Sequence, residues 1–468
     1  VAEIVEATGG SLLRGSPTTI VTSFSIDTRL LGPGGLFFAL PGTRTDGHAF
    51  LQEAARAGAA AAVISIPPQP DAPAPPALVR VDDPVQALAR CGKLARRKVP
   101  ATVVALTGST GKTTTKELIA AALSGSRRVH RTTGNLNNHL GVPLTLLACP
   151  EDAQVQVIEM GMSAPNEIAP LTELADPDVG LVTNVRPVHL EFFRSLDDIA
   201  AAKGELFAKL RPEAAAVVNL DDPNVRLQAH RHAGPRVTFG RDPSADVVLQ
   251  DVEDRFLPGA ALTVQHGGRS ARIELRLPGA HSAENALAAL ATALAAGATL
   301  EEAASGMAGL EAGAGRGKIH RLAQGIAVVD DVYNSNPAAV AAVLRTLSAT
   351  RSGGRRVLVF GDMLELGPEE TAFHREVGRL AARAGVDLLV GVGPRAREAV
   401  EEAARFGVHG TAHEPDAASA ARGLAARLRP GDFVVVKGSR GVHLERVVAA
   451  LQAAFPPEAP APGMQERA

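Results

Sequence analysis

Two periodicities alternate along this chain. From residue 101 onward, short apolar runs of β type are separated by longer stretches with apolar residues at helical spacing. Ala101–Leu106, Val155–Glu159, Val179–Asn184, Ala215–Asn219 and Arg236–Phe239 read as strands, with Lys112–Leu123 and Asp197–Leu210 among the helices between them. Such alternation needs crossover connections, so it predicts a parallel sheet with helices on both faces. Residues 246–277 change character. Ala261–Val264 and Ala271–Leu277 flank Gly267-Gly268 and predict an antiparallel hairpin, after which Ala283–Ala296 reads as an alanine-rich helix. A second α/β series begins near Gly315, with strands at Ile326–Asp330, Arg356–Phe360, Asp387–Val392 and Asp432–Val436. Helices at Pro337–Leu347, Thr371–Ala384, Pro394–Phe406 and Ala417–Leu428 separate them.

The first hundred residues are more mixed. Gly35–Leu40 and Ala59–Ile66 read as strands, Ala49–Ala57 and Val85–Arg97 as helices, and the proline-rich stretch Pro67–Ala77 as loop. A chain of 468 residues is too long for one ordinary core. The pattern predicts an α/β protein of three domains: a small mixed α/β domain over residues 1–98, a central parallel-sheet domain over 99–314 and a C-terminal α/β domain over 315–455. Residues 456–468 read as a disordered tail.

Composition removes several functional classes. A net charge of −2 gives no global attraction to nucleic acid, and the chain has no Trp and a single tyrosine, Tyr333, so base-stacking surfaces are not expected. Two cysteines, Cys91 and Cys149, are too few for a disulfide framework. No apolar run approaches the ~20 residues that span a bilayer, and the start Val1-Ala-Glu-Ile shows no basic region leading into an apolar one. A cytoplasmic monomer is the expectation.

The chemistry concentrates in five places. Gly108-Ser109-Thr110-Gly111-Lys112-Thr113-Thr114 lies between a strand and a helix, where a glycine loop cradles phosphate. Lys112 would meet the β- and γ-phosphates, Thr113 would offer a hydroxyl to Mg²⁺, and the helix N-terminus would face the anion. Leu106 stands where the commoner G-x-x-x-x-G-K-[ST] spacing needs glycine, so the loop is the compact G-x-x-G-K-T form. Glu159 ends an apolar strand and can hold Mg²⁺ with Thr113. Asn184 and His189 follow the next strand, so they would face the same nucleotide. Lys203, on a small and apolar helical run, either extends to water or is converted by CO₂ to an anionic carbamate able to ligate Mg²⁺. Asp330-Asp-Val-Tyr-Asn-Ser-Asn-Pro337 closes a strand and opens a helix with Asn336 as N-cap. It holds more polar groups than a helix start requires, and Asp331 suits ribose hydroxyls or a bound cation.

Taken together these stretches resemble the Mur ligase family of bacterial cell-wall synthesis. The loop T-G-S-T-G-K-T, the E-M-G strand end, N-V-R-P-V-H, A-K-G-E-L-F and L-P-G-A-H-S-A-E-N-A-L carry the likeness. Gly134–Pro143, Asp331–Pro337, Phe360–Gly367 and Lys437–Arg440 resemble the branch that adds D-alanyl-D-alanine to UDP-N-acetylmuramoyl-tripeptide. The D-Y-A-H-T-P and D-N-P-R stretches typical of the branch that adds the third residue are not present.

The resemblance implies a Rossmann-like C-terminal domain, ATP as phosphate donor and two Mg²⁺ ions. Thr113 and Glu159 would hold one ion, His189 and carbamylated Lys203 the other. His281 and Asn285 would lie near the adenine, Asp331 near the ribose, and Arg316 at the transferring phosphate. Ser25, Asp27, Thr28, Arg29, Asp46, Gly47 and His48 would bind the UDP end of the substrate in the first domain. Asn135, Asn137, Asn138, Tyr333, Asn334, Asn336, Ser439 and Arg440 would contact substrates. Thr28 replaces the commoner Ser and keeps the hydroxyl; Ser335 replaces the commoner Ala. Folylpolyglutamate synthetase shares the compact loop and the amide-forming chemistry, but Y-N-S-N-P and G-D-M-L-E-L-G argue against it. A regulatory ATPase acting on a protein partner would leave the D-T-R and D-G-H motifs without a purpose.

Overall fold

The computed structural model describes residues 1–42, 45–188, 191–254, 259–349 and 353–457, which are organised around three sheets. In the first, the strands Ser23–Ser25, Gly35–Phe38, Ala61–Ile64 and Ala77–Arg80 run parallel in that order, and Ser11–Arg14 adds antiparallel at the edge. The second has nine strands. Val129–Arg131, Val155–Glu159, Thr102–Thr107, Val179–Val182, Ala215–Asn219 and Arg236–Gly240 are mutually parallel, and the expected hairpin, Ala260–His266 with Arg269–Glu274, joins through Val247–Asp254. The third carries the parallel strands Ala327–Asp331, Phe433–Lys437, Arg356–Gly361, Leu388–Val392 and Gly410–Glu414, with Lys318–Arg321 antiparallel beside the first of them.

Why the central strands lack alternation is visible in their burial. Val103, Val104, Ala105 and Leu106 are all fully covered, because helices pack on both faces of a parallel sheet. One cover is the helix Ala280–Ala295, in which eleven of sixteen residues are buried. A helix buried almost all round must be apolar all round, and alanine lets its axis approach the sheet and the helix Lys112–Ser124 closely.

Strand order decides where the site lies. Thr102–Thr107 has Val155–Glu159 on one side and Val179–Val182 on the other, with Leu106 in register with Glu159 and Thr107 with Val182. The chain reverses its direction of winding here, and ligands of open α/β sheets bind outside the carboxyl ends of strands at such a point.

Several segments differ from the expectation, and short strands such as Ser11–Arg14, Val129–Arg131 and Lys318–Arg321 add to the sheets. Asp197–Leu210 is two helices, Leu196–Lys203 and Glu205–Lys209, meeting at Gly204. Gly410–Glu414 is a strand the pattern does not announce, because it is a half-exposed edge without an apolar run. The helix expected over Ala417–Leu428 ends at Gly423 and continues only as a short 3₁₀ turn, Ala425–Arg427. Of the expected tail, Pro456 accepts a hydrogen bond from the Ala323 amide at 3.2 Å, and residues 458–468 lie outside the described residues. No helix among the described residues is long and apolar enough to cross a membrane. The helix Gly141–Leu147, though it follows the phosphate loop in sequence, packs against Pro84–Lys98, and Leu140, Leu144 and Leu147 extend the first sheet's core.

The stretch Phe360–Gly367 has a structural task. Buried Asp362 accepts the Ala396 amide at 2.7 Å and so caps a helix, Ala396–Arg405, that has no cap of its own. His374, also buried, accepts the Met363 amide at Nε2 (3.0 Å) and donates from Nδ1 to the Glu370 carbonyl (2.7 Å). Burial holds its pKa below the ordinary histidine value, against the pull of Asp362 and Glu370 and with a smaller contribution from Arg395. Below about pH 6.5 the unfolded chain takes up a proton that the folded one refuses, so stability falls as pH drops, by at most about 1.4 kcal/mol per pH unit from this group. Thermal melts between pH 7.5 and 5 should therefore fall more steeply for the native chain than for His374→Gln; parallel curves would remove His374 as the cause.

Candidate active site

The loop Gly108–Gly111 leaves the strand Thr102–Thr107 and opens the helix Lys112–Ser124. Two positions admit only glycine. A Cβ at Gly108 (φ +155°) would stand 1.9 Å from the Thr183 hydroxyl, and one at Gly111 (φ +78°) 2.2 Å from Asn285 Oδ1. The neighbouring strand end sets the loop's shape. Thr183 Oγ1 donates to the Thr110 carbonyl (3.0 Å), the Asn184 carbonyl accepts from Ser109 N (3.0 Å), and Asn184 Oδ1 accepts from Thr110 N (3.0 Å). Ser109 Oγ exchanges hydrogen bonds with Arg186, whose guanidinium is anchored on buried Asp222 at 2.6 Å. The amides of Gly111, Lys112, Thr113 and Thr114 have no hydrogen-bond partner among the described residues, an arrangement suited to an anion.

Glu159 stands beside the loop, 2% exposed. Its Oε2 accepts from the Thr113 hydroxyl at 2.9 Å and its Oε1 from Asn137 Nδ2 at 2.9 Å. Behind it, buried Lys116 donates to the Thr132 carbonyl at 2.6 Å, with Nζ 3.9 Å from Glu159 Oε2. A carboxylate and a hydroxyl at this spacing suit a hard divalent cation: cis oxygens of an octahedral ion with ~2.1 Å bonds lie about 3 Å apart. No cluster of three or more His, Cys, Asp or Glu side chains suits a metal among the described residues. An ion here would complete its shell with phosphate and water oxygens, as Mg²⁺ commonly does.

Cations crowd this corner. Lys112 turns its ammonium back to the Gly108 carbonyl at 2.7 Å. Burial lowers its pKa, Glu159 opposes that shift, and the Arg316 guanidinium adds to it. Lys203, 2% exposed at the end of its helix, does not reach water. Its pKa lies well below the ordinary lysine value, through burial first and the Lys112 charge second. His189 lies outside the described residues.

The facing wall belongs to the third sheet. Lys437 Nζ donates to Asp331 Oδ2 at 2.7 Å, the two residues being in register on adjacent strands, and to the Asn334 carbonyl at 3.0 Å. The Arg316 guanidinium lies 3.8 Å from the centre of the Tyr333 ring and that of Arg440 5.4 Å from it. Between the walls is a cleft of about 870 Å³, large enough for a nucleotide and part of a second substrate.

Most of the expected residues meet in this cleft: the phosphate loop, Asn137, Asn138, Glu159, Asn184, His281, Asn285, Arg316, Asp331, Tyr333, Asn334 and Asn336 all line it. Several have structural work in addition. Asn184 holds the loop, Asn138 Oδ1 accepts from Gly141 N at 2.9 Å, and Asn336 Oδ1 accepts from Ala339 N at 2.9 Å, the N-cap read from the sequence. Asn135 is exposed and outside the lining; Ser439 is buried and accepts the Leu364 amide at 3.0 Å. The first-sheet motifs do not reach the cleft. Asp27 pairs with Arg29, which holds its carboxyl down at about 2, and Ser25 Oγ bonds to the Asp27 backbone. Asp46 Oδ1 accepts the His48 amide and ring Nδ1, while His48 Nε2 accepts Ser65 N. Thr28 and Gly47 begin the short turns that follow these acids, and both turns leave the carboxyl ends of adjacent parallel strands.

Lys116, Arg186 and Asp222 were not legible as site residues. Two carried a signal: Lys116 lies one helical turn beyond Lys112 and so faces the same side, and Arg186 stands within the N-V-R-P-V-H stretch.

Models of three families or domains match the chain in sequence: the Mur ligase family catalytic domain over residues 20–98, the Mur ligase middle domain over 106–293, and the Mur ligase glutamate ligase domain over 315–440. The UDP-N-acetylmuramoyl-tripeptide–D-alanyl-D-alanine ligase of Escherichia coli (strain K12) is 38% identical over 443 residues, covering 94% of this chain and 95% of the relative. A crystal structure of MurF from Acinetobacter baumannii superposes with a TM-score of 0.86 at 31% identity, covering 96% of this chain and 98% of that one. MurF ligase from Thermotoga maritima in complex with ADP gives 0.80 at 29% identity, with 93% and 98% covered.

Ser335, the departure noted in the sequence, is buried with its hydroxyl unpartnered. Since an unsatisfied buried hydroxyl costs about 1–3 kcal/mol, Ser335→Ala should leave the denaturant midpoint unchanged or raise it. A clear fall would show that the hydroxyl has a partner in solution.

Proposed function

The chain belongs to the Mur ligase family, and from that premise we infer that it joins D-alanyl-D-alanine to the terminal carboxylate of UDP-N-acetylmuramoyl-tripeptide with ATP, in peptidoglycan synthesis. The observation that carries the reading is the cleft itself, where a phosphate loop with unpaired amides faces Arg316, Asp331 and Tyr333 across one cavity.

The chemistry follows from charge. A carboxylate resists attack by an amine, so it is first activated. The tripeptide carboxylate oxygen bonds to the γ-phosphorus of ATP, the bond from that phosphorus to the β,γ-bridging oxygen breaks, and ADP leaves. The amine of D-alanyl-D-alanine then attacks the acyl carbon. The tetrahedral intermediate expels phosphate as the amide forms, and the amine's surplus proton passes to phosphate or solvent. Both reactants of the first step are anions, and they approach only if cations offset their repulsion. Lys112 and Arg316 supply fixed charge, the amides of residues 111–114 orient the phosphates, and closing the third sheet on the second excludes water from the acyl phosphate.

Mg²⁺ fits the Thr113–Glu159 pair, where it would neutralise phosphate charge. For the second ion we propose His189 and Lys203 as the carbamate. What supports the carbamate is the lowered pKa of Lys203, since the neutral amine is the form that adds CO₂. We assign residues 1–98 to the UDP end of the substrate, through the motifs at Asp27–Arg29 and Asp46–His48, residues 99–314 to ATP, and 315–455 to the incoming dipeptide, with Ser439 and Arg440 at its edge. The reading needs one chain only, acting in the cytoplasm where ATP is available.

Phosphate release from Mg-ATP should require both the UDP-tripeptide and D-alanyl-D-alanine, with a UDP-pentapeptide mass appearing in the same tubes. Release indifferent to both acceptors would instead favour a regulatory ATPase. Lys203→Ala should lose at least about a hundredfold in turnover and regain part of it with added acetate or formate, which return an anion to the vacated space. Insensitivity to such acids would count against the carbamate.

A further inference from the structure

Arg316 lies on the connection between the second and third sheets, where a residue is ordinarily free to wander. Here it is fastened. Gly315 N donates to Asp330 Oδ2 at 2.8 Å, Gly317 N to the Asp330 carbonyl at 2.7 Å, and Tyr333 N to the Gly315 carbonyl at 2.9 Å. The backbone on each side of Arg316 is thus held by one residue, and its guanidinium rests on the Tyr333 ring at 3.8 Å. Asp330 is 7% exposed, and its other oxygen, Oδ1, is buried without a partner. A buried carboxylate with one satisfied oxygen costs stability unless it does something else. Successive strand residues point to opposite faces. Asp331 therefore faces the cleft and pairs with Lys437, while Asp330 reaches the Arg316 segment.

We propose that Asp330 is a positioning residue for Arg316, binding the segment 315–317 to the third sheet so that the guanidinium is held over Tyr333 and aimed at the phosphate loop. The proposal rests on the reading of Arg316 as the cation at the transferring phosphate. Its physical need is plain. Arg316 approaches Lys112, a like charge, and no carboxylate pairs with Arg316 among the described residues. Before phosphate arrives, repulsion favours an arginine turned out to solvent. The two backbone bonds to Asp330 and the Tyr333 ring oppose that. They also fasten Arg316 to the third sheet rather than to the second.

The test is a double-mutant cycle on purified full-length enzyme, with kcat and the KM for ATP read for each variant and circular dichroism as the folding control. Arg316→Ala should lower kcat by about 10²–10³. Asp330→Ala should lower it about tenfold with the KM for ATP within about twofold. Asp330→Asn, which keeps an acceptor for Gly315 N, should recover most of that loss. In the Arg316→Ala background, Asp330→Ala should add less than about twofold, because a residue acting through Arg316 has nothing left to position. A full tenfold further loss in that background would overturn the proposal and make Asp330 merely structural. Full turnover by Arg316→Ala would overturn the Arg316 reading and the positioning role of Asp330 with it. If Asp330→Ala does not fold, Tyr333→Leu against Tyr333→Phe in the same cycle decides: Leu should lose more kcat than Phe, and only while Arg316 is present.

Discussion

Positive groups held together with little counter-charge are the constraint on which this site depends. Lys203 and Arg316 both act on Lys112, and the carboxylate that opposes them there, Glu159, already accepts from Thr113 and Asn137 and has Lys116 at its back. Isolated, such a corner is costly, because a low dielectric strengthens repulsion as readily as attraction. A triphosphate, a carboxylate or a carbamate relieves it. The site is complementary to anions before any has bound, which is the sense in which it is preorganised.

That crowding explains why so much of the surrounding structure is devoted to holding rather than touching. Asn184 spends its amide on the phosphate loop, Asp222 anchors Arg186, and Asn137 steadies Glu159. On the opposite wall Asp331 with Lys437 and Asp330 with the 315–317 segment do the same. The helix Gly141–Leu147 and the guanidinium of Arg96, which donates to the Ala175 carbonyl at 2.9 Å, tie the first sheet to the second. The first-sheet turns and the phosphate loop are therefore joined through packed elements rather than through a bare linker.

Resemblance in sequence does not distinguish a contact with substrate from a contact that shapes the fold. Phe360–Gly367 and Ser439 both contributed to the likeness, yet Asp362 caps a helix and Ser439 accepts the Leu364 amide. Asn336 both lines the cleft and caps the helix Pro337–Ala349. A polar side chain in a loop is equally good at either task, and only its neighbours decide which it performs.

Local rules were enough for what is local. Apolar runs between helical stretches announced the parallel strands, Gly267-Gly268 the hairpin, and Gly108–Thr114 the glycine loop between strand and helix with Glu159 at a neighbouring strand end, because periodicity, turn chemistry and strand-end position are properties of a few consecutive residues. The half-exposed edge strand Gly410–Glu414 escaped, since pairing rather than hydrophobicity makes it a strand. Tertiary structure alone decided the depth of Lys203, the cation 3.9 Å behind Glu159, the turning of Asp330 and Asp331 to opposite tasks, and the separation of the first-sheet motifs from the cleft. Each of these depends on which distant elements share a surface. Burial and charge act through space, so they are settled only when the sheets have packed.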